Sequence, residues 1–162
     1  MYLATHRRPL PHISALEPSA LYISMAASAR VVAIVEIGLD YYRDRAPREA
    51  QQAALAAQLR LAADLELPVL LHSRNALADV LDAVQAWAPG LPTHLQTRCG
   101  VLHAFQGTPQ DADRAVSLGL YLGLGGPLTY PSAQRTLHTA ISAVPLERLV
   151  LETDSPYLPP QG

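Results

Sequence analysis

The sequence predicts an α/β fold in which about five parallel strands alternate with helices. Five apolar segments occur along the 162 residues, at about 31–36, 69–72, 100–103, 120–124 and 148–152. They are apolar throughout rather than at every second position, which is typical of parallel strands covered on both faces. Two architectures fit this order of elements, a (β/α) barrel and an open doubly wound sheet.

The first predicted strand lies between two predicted helices. Small residues after Pro18 favour a helix over 19–29, and the β-branched run Val31–Ile34 predicts a buried strand that ends on Glu36 and Gly38. The segment Pro47–Leu65 predicts a long helix, because proline suits the first turn and alanine, leucine and glutamine dominate beyond it.

The second strand and the helix after it are predicted from their boundary residues. The apolar run at 69–72 ends on His72, and Asn75 is placed to cap a helix that runs towards Trp87. Prolines and a glycine in the segment 88–98 predict a loop.

The last three strands are predicted in the same way. The third strand ends on His103, and the segment Pro109–Leu118 predicts a short helix that Gly119 stops. Another helix fits Ser132–Ala143, and the fifth strand ends on Glu152–Asp154.

Composition excludes several classes of protein. The net charge is −2 and the basic residues are scattered, so the basic face of a typical nucleic-acid-binding protein is not visible. No apolar run approaches the roughly 20 residues of a membrane span, and no secretory signal is visible.

Cys99 is the only cysteine, so we expect a buried thiol and a cytoplasmic location. We expect one domain over residues 1–162, with no membrane association and no protein partner implied.

Four of the five predicted strands end on a residue that can bind a metal, namely Glu36, His72, His103 and Asp154. Active sites of TIM barrels lie at the carboxyl ends of the strands, and no glycine-rich phosphate loop favours the nucleotide-binding alternative. Two carboxylates and two imidazoles suit zinc, manganese, cobalt or magnesium. The sequence therefore predicts a partial TIM (β/α) barrel of the metal-dependent hydrolase type.

Five sequence blocks indicate a particular protein family. They are VVAIVEIGLDYYRD (Val31–Asp44), LELPVLLHSRNA (Leu65–Ala76), GVLHAFQGTP (Gly100–Pro109), LGLGGPLTY (Leu122–Tyr130) and PLERLVLETDSPYLPP (Pro145–Pro160). In this order they resemble the signature blocks of the TatD family of metal-dependent deoxyribonucleases, and the resemblance covers the chain from about Pro11 onwards.

The resemblance implies an amidohydrolase-like TIM barrel that cleaves DNA phosphodiester bonds with two divalent metal ions, which would be Mg, Mn or Zn. By position, Glu36 matches the carboxylate that bridges the metals, and His72 and His103 match the ligands of one metal. Asp154 matches the residue that binds the other metal and positions or deprotonates the attacking water. Glu36 and Asp154 are thus the catalytic candidates. Arg74 lies two residues after His72. Two roles are open for its guanidinium: contact with a substrate phosphate, or a salt bridge at the end of the strand.

The sequence also departs from the family pattern. It has no H-x-H pair, which supplies two metal ligands at the start of the family's barrel, and TIM barrels typically need about 250 residues. We therefore expect the N-terminal H-x-H unit and the C-terminal βα unit to be missing. Val35 replaces a glycine and Gln106 replaces a serine of the usual motifs.

Two alternative functions stay open. Other amidohydrolase-like barrels attack C–N or ester bonds, and the lack of a basic face favours this reading. The missing H-x-H pair favours an inactive fragment with an incomplete metal site.

Overall fold

The protein is represented by a computed structural model that describes residues 28–43, 45–132 and 135–161. The helix expected over 19–29 lies outside the described residues, apart from its last two positions, which form a bend and a turn.

One parallel sheet forms the centre of the described part. Its strands are β1 (Ile34–Asp40), β2 (Val69–Arg74), β3 (Gly100–Leu102), β4 (Leu120–Leu124) and β5 (Leu149–Leu151). They lie in the order β1-β2-β3-β4-β5, and every neighbouring pair is parallel. The predicted number and direction of the strands are confirmed.

Each strand is connected to the next by at least one helix. They are α1 (Arg48–Asp64), α2 (Leu77–Trp87), α3 (Thr93–Gln96), α4 (Pro109–Ser117) and α5 (Thr136–Ser142). Short 3₁₀ turns at 88–90, 126–129 and 146–148 complete the connections. The segment 88–98, which was predicted as a loop, thus contains a 3₁₀ turn and the one-turn helix α3.

The first strand differs from its prediction. It begins at Ile34 rather than Val31, because Val32 is 78% exposed and forms no part of the sheet. It continues past Glu36 to Asp40, since Gly38 does not end it. A β-carbon at Gly38 would lie 1.9 Å from the carbonyl oxygen of His72. The glycine therefore permits close pairing inside the strand rather than breaking it.

The ends of the helices match the predicted signals only in part. Gly119 follows α4 with a φ of +85°, in the left-handed region that favours glycine. Asn75 does not cap α2: it has a φ of +55°, and the cap position is Ala76, which makes no side-chain capping bond. Asn75 instead turns the chain between the strand and the helix, a role that asparagine tolerates well.

The core lies between the sheet and the helices. Alternate strand residues such as Leu39, Leu71 and Leu102 are almost fully buried against helix residues such as Leu55 and Val80. Residues at the other positions of the same strands are less buried. The functional candidates of β1 and β2 stand at these less buried positions, so the packing of the core leaves them accessible.

Candidate metal centre

Glu36 and His72 come together because their strands are neighbours. Gly38 of β1 pairs with His72 of β2, and the pairing register shifts between Ile34 and Ile37, around Glu36. Glu36 Oε1 lies 3.1 Å from His72 Nδ1. Both side chains are 36% exposed, so this pair lies at the accessible rim of the site.

His103 lies directly after β3 and connects the pair to the residues that follow β5. Its Nε2 lies 2.9 Å from Asp154 Oδ1 and 3.9 Å from Glu36 Oε1. Its Nδ1 lies 2.7 Å from Glu152 Oε2. All four sequence candidates therefore stand within one chain of contacts at one end of the sheet.

The positions of the candidates differ from a simple strand-end pattern. Glu36 is the third residue of β1 and His72 is the fourth residue of β2, so both lie inside their strands. His103 follows its strand immediately, whereas Asp154 lies three residues beyond the end of β5. The prediction that all four candidates end a strand is wrong for Glu36 and His72, which lie inside β1 and β2. Their side chains still meet because β1 and β2 are parallel neighbours, although the pairing register shifts between Ile34 and Ile37, around Glu36.

The electrostatics of the cluster centre on His103. The hydrogen bond to Glu152 raises the pKa of His103 to about 9, and the negative charges of Glu152, Asp154 and Glu36 add to this effect. Burial of the ring acts in the opposite direction but is outweighed. The carboxylates therefore favour a positive charge at the position of the His103 ring.

The donor atoms of this cluster have the chemistry that a divalent cation requires. Carboxylate oxygens and imidazole nitrogens are ligands of zinc and manganese. The His103 ring has one nitrogen on Glu152 and turns the other towards Asp154 and Glu36, which is the orientation of a metal-bound histidine with a supporting carboxylate. Within residues 28–43, 45–132 and 135–161, no three His, Cys, Asp or Glu side chains already stand in the geometry that holds a metal ion. The donor set thus fits a cation in its chemistry, and its atoms are hydrogen-bonded to one another.

Two acidic residues of the cluster were not singled out from the sequence. Glu152 binds His103, and it also accepts a hydrogen bond from the backbone N–H of Ala104. Asp40 Oδ2 lies 3.9 Å from His72 Nε2, while its Oδ1 accepts hydrogen bonds from two backbone N–H groups of the following turn. The available signal was that each acid ends or directly follows a strand.

Arg74 ends β2 beside this cluster. Its guanidinium lies 4.0 Å from the centre of the Tyr42 ring, which is largely exposed. The described residues give Arg74 no ion pair, so the strand-end salt bridge is not formed within that part. The guanidinium instead stacks on an aromatic face.

The two substitutions within the motifs lie outside the contacts of the cluster. Val35 lines an open groove of about 330 Å³ together with Leu70, Val101 and Tyr121. Gln106 is exposed in the loop before α4.

The sequence matches one known protein family over most of its length. A family model described as TatD related DNase matches residues 12–162. The chain belongs to the TatD family. The matched range includes every residue of the cluster described above.

Individual relatives support the same assignment. A protein of Cronobacter sakazakii named 3'-5' ssDNA/RNA exonuclease TatD is 41% identical over 145 residues, which cover 90% of this chain and 53% of that protein. The uncharacterized metal-dependent hydrolase YjjV of Escherichia coli K12 is 46% identical over 134 residues, which cover 83% of this chain and 49% of YjjV.

A solved structure confirms the fold. The crystal structure of YjjV, a TatD homologue, superposes with a TM-score of 0.74 at 40% identity, over 86% of this chain and 52% of that one. With the parallel sheet, this confirms the predicted α/β fold of the TIM-barrel type. The chain spans about half the length of the curated relatives it matches. None of the helices within the described residues is both long and apolar enough to cross a membrane.

Proposed function

We propose that Glu36, His72, His103 and Asp154 belong to a divalent-metal hydrolase site that cleaves phosphodiester bonds of single-stranded nucleic acid. The observation that carries the proposal is the meeting of two carboxylates and two imidazoles at one end of a parallel sheet. The nucleic-acid substrate is inferred from relatives that are named ssDNA/RNA exonucleases. DNA is the substrate that the sequence motifs imply, and single-stranded RNA is added by those names.

Each residue has a separate role in such a site. Glu36 Oε1 lies within 3.9 Å of a ring nitrogen of both histidines, so it is the carboxylate placed to be shared between ligand sets. His103 Nε2 and His72 supply nitrogen donors. When bound, a pair of Mg, Mn or Zn ions supplies an activated water and positive charge beside the phosphoryl oxygens. Asp154 Oδ1 is the atom that would orient the water and take up its proton, because this carboxylate is partly exposed.

Arg74 is the proposed contact for a substrate phosphate. A guanidinium binds phosphate oxygens through two parallel N–H groups, and the Tyr42 ring beneath it limits its rotation. Because the sequence shows no broad basic face, we expect the electrostatic attraction for nucleic acid to act at this local site rather than over a wide surface.

A cleavage assay tests the proposal. The purified chain is incubated with single-stranded DNA and RNA that carry a 5′ label, in the presence of Mg²⁺, Mn²⁺ or Zn²⁺, with EDTA as the metal-free control. We expect metal-dependent shortening from the 3′ end, at a rate well below that of the longer relatives, because the chain spans half their length. Asp154→Asn should reduce the rate at least about a hundredfold, since an amide is a poorer ligand and cannot take up the proton of a water.

Asp113→Asn is the matched control for this assay, because Asp113 is exposed on α4 away from the cluster. It should cleave as the unaltered chain does. Equal rates for Asp154→Asn and the unaltered chain would contradict the assignment of Asp154. Hydrolysis of amide or ester substrates without cleavage of nucleic acid would favour the C–N or ester-bond alternative. No hydrolysis of any substrate would favour the inactive fragment.

A further inference from the structure

The carboxylate of Glu152 holds the His103 ring from the side opposite the other donors. Glu152 Oε2 lies 2.7 Å from His103 Nδ1, and Oε1 accepts the backbone N–H of the next residue, Ala104. The side chains of His103 and Glu152 are only 11% and 16% exposed. Because both oxygens are engaged by adjacent residues, neither the carboxylate nor the imidazole ring can rotate without losing a partly buried hydrogen bond.

Three backbone features hold this carboxylate in place. The N–H of Glu152 donates to the carbonyl of Leu124 on β4. Ala104 has a φ of +48°, in the left-handed region, at the point where its N–H meets the carboxylate. A β-carbon at Gly123 would lie 2.5 Å from Glu152 Oε2. The carboxylate therefore occupies space that exists only because residue 123 has no side chain.

We propose that Glu152 is a positioning residue that determines which ring nitrogen of His103 is presented to a divalent cation. To donate to Glu152, Nδ1 must carry a proton, so the nitrogen left to coordinate is Nε2. Nε2 is also the nitrogen that faces Asp154 Oδ1 and Glu36 Oε1. The metal-binding part of this inference rests on the proposed function.

The variant Glu152→Gln separates positioning from simple packing, because the amide has the same shape as the carboxylate but only one acceptor oxygen. If that oxygen accepts the Ala104 N–H, the amide nitrogen faces Nδ1 and favours a ring with its proton on Nε2. If the oxygen accepts the Nδ1 proton instead, the amide NH₂ group faces the Ala104 N–H, and two donors meet without an acceptor. In either arrangement the preference for Nε2 as the coordinating nitrogen is weakened, and supporting residues of this kind change metal affinity by about 10- to 100-fold.

The test combines calorimetry with nitrogen spectroscopy of the histidine rings. Zn²⁺ and Mn²⁺ are titrated into the unaltered chain, Glu152→Gln, Gly123→Ala and the control Glu147→Gln, whose side chain is exposed before β5. Long-range ¹H–¹⁵N spectra of the zinc-loaded proteins report which nitrogen of His103 carries the proton. We expect a proton on Nδ1 and coordination through Nε2 in the unaltered chain and in Glu147→Gln. Glu152→Gln should bind about 10- to 100-fold more weakly and lose this pattern.

Gly123→Ala displaces the carboxylate without changing its chemistry, so it should shift affinity and spectrum in the same direction as Glu152→Gln. If the added β-carbon unfolds the chain, as circular dichroism would show, Glu152→Gln alone decides the question. Equal affinity and an unchanged His103 spectrum in Glu152→Gln would overturn the positioning role.

A metal-free measurement keeps this inference separate from the proposed function. If the unaltered chain binds neither cation, the proposed function fails. The pairing is then judged from the Nδ1 proton of His103 in the metal-free protein, which should exchange slowly with water in the unaltered chain and Glu147→Gln. Rapid exchange in those two proteins, or equally slow exchange in Glu152→Gln, would overturn the inference as well.

Discussion

Burial controls the reactivity of the Cys99 thiol. Its side chain is fully buried, and its thiol donates to the carbonyl of Leu118. Burial raises the pKa of Cys99 to about 11. At pH 8 the thiolate fraction is therefore about a hundredfold below that of an exposed thiol. We expect iodoacetamide to label the native chain very slowly and the urea-unfolded chain rapidly, as measured by intact mass.

The same shift gives a direction to the dependence of stability on pH. The pKa of the Cys99 thiol is higher in the folded than in the unfolded chain, so the neutral buried thiol contributes its full stability below about pH 9 and loses it as the pH rises towards 11.

Cys99→Ser is the control for the iodoacetamide experiment, because the chain has no other cysteine to label. Labelling at the same rate in native and unfolded protein would show that the thiol is accessible. The cytoplasmic location expected from the single cysteine stays a prediction.

The sequence indicated four of the residues in the cluster and missed Glu152 for a physical reason. Glu36, His72, His103 and Asp154 stand out because polar groups near the ends of apolar strands need a partner to offset lost hydration. Glu152 also follows a strand, but an acid in that place is equally typical of a solvated loop. Its role depends on the space left by Gly123 on the neighbouring strand. A contact between side chains that are distant in the sequence has no local signal.

Helix α4 begins with a reciprocal pair of hydrogen bonds. The Thr108 hydroxyl accepts the N–H of Asp111, and the Asp111 carboxylate accepts the N–H of Thr108. Thr108→Ala removes one acceptor from the helix start, so the free energy of unfolding should fall by about 1 kcal/mol. Urea denaturation followed by circular dichroism measures this change.

Thr139→Ala is the matched control, because that hydroxyl is exposed within α5 and donates to the carbonyl of Arg135 four residues earlier. A hydroxyl bonded in this way contributes little to a helix, so the change should stay within about 0.5 kcal/mol. A loss as large as that of Thr108→Ala would mean that removal of any helical threonine hydroxyl has this effect, and the capping explanation would be wrong.

Local sequence predicted most elements but not the position of β1. The run Val31–Ile34 has strong β propensity, yet propensity does not determine which residues pair. The pairing runs from Ile34 opposite Val69 to Asp40 opposite Arg74. Gly38 looks like a stop signal in the sequence, although it is the residue that permits this pairing. Register depends on the neighbouring strand, which the local pattern does not contain.

For the molecule as a whole, β5 is an outer strand of the sheet among the described residues, and its Leu151 is 87% exposed. An apolar outer strand is a template for pairing with another chain. We expect the purified chain to self-associate with rising concentration, and Leu151→Lys to reduce this association. Light scattering after size-exclusion chromatography measures the average mass of each protein.

Leu146→Lys distinguishes pairing at the strand from general hydrophobic attraction. Leu146 is 79% exposed but lies in the 3₁₀ turn before β5 rather than in the strand. It should reduce association much less than Leu151→Lys. An unaltered chain that stays monomeric at all concentrations, or equal effects of the two variants, would exclude the outer strand as the cause.

The strand order has a consequence for synthesis of the chain on the ribosome. Because β1 to β5 lie side by side in the order of the sequence, each strand after the first pairs with the one that precedes it. Such contacts join strands that are separated only by the helical connection between them, so the entropy lost in closing each loop is small. Each new strand meets an edge that has already emerged from the ribosome. The sheet can therefore grow in the direction of translation, one βα unit at a time, without waiting for the end of the chain.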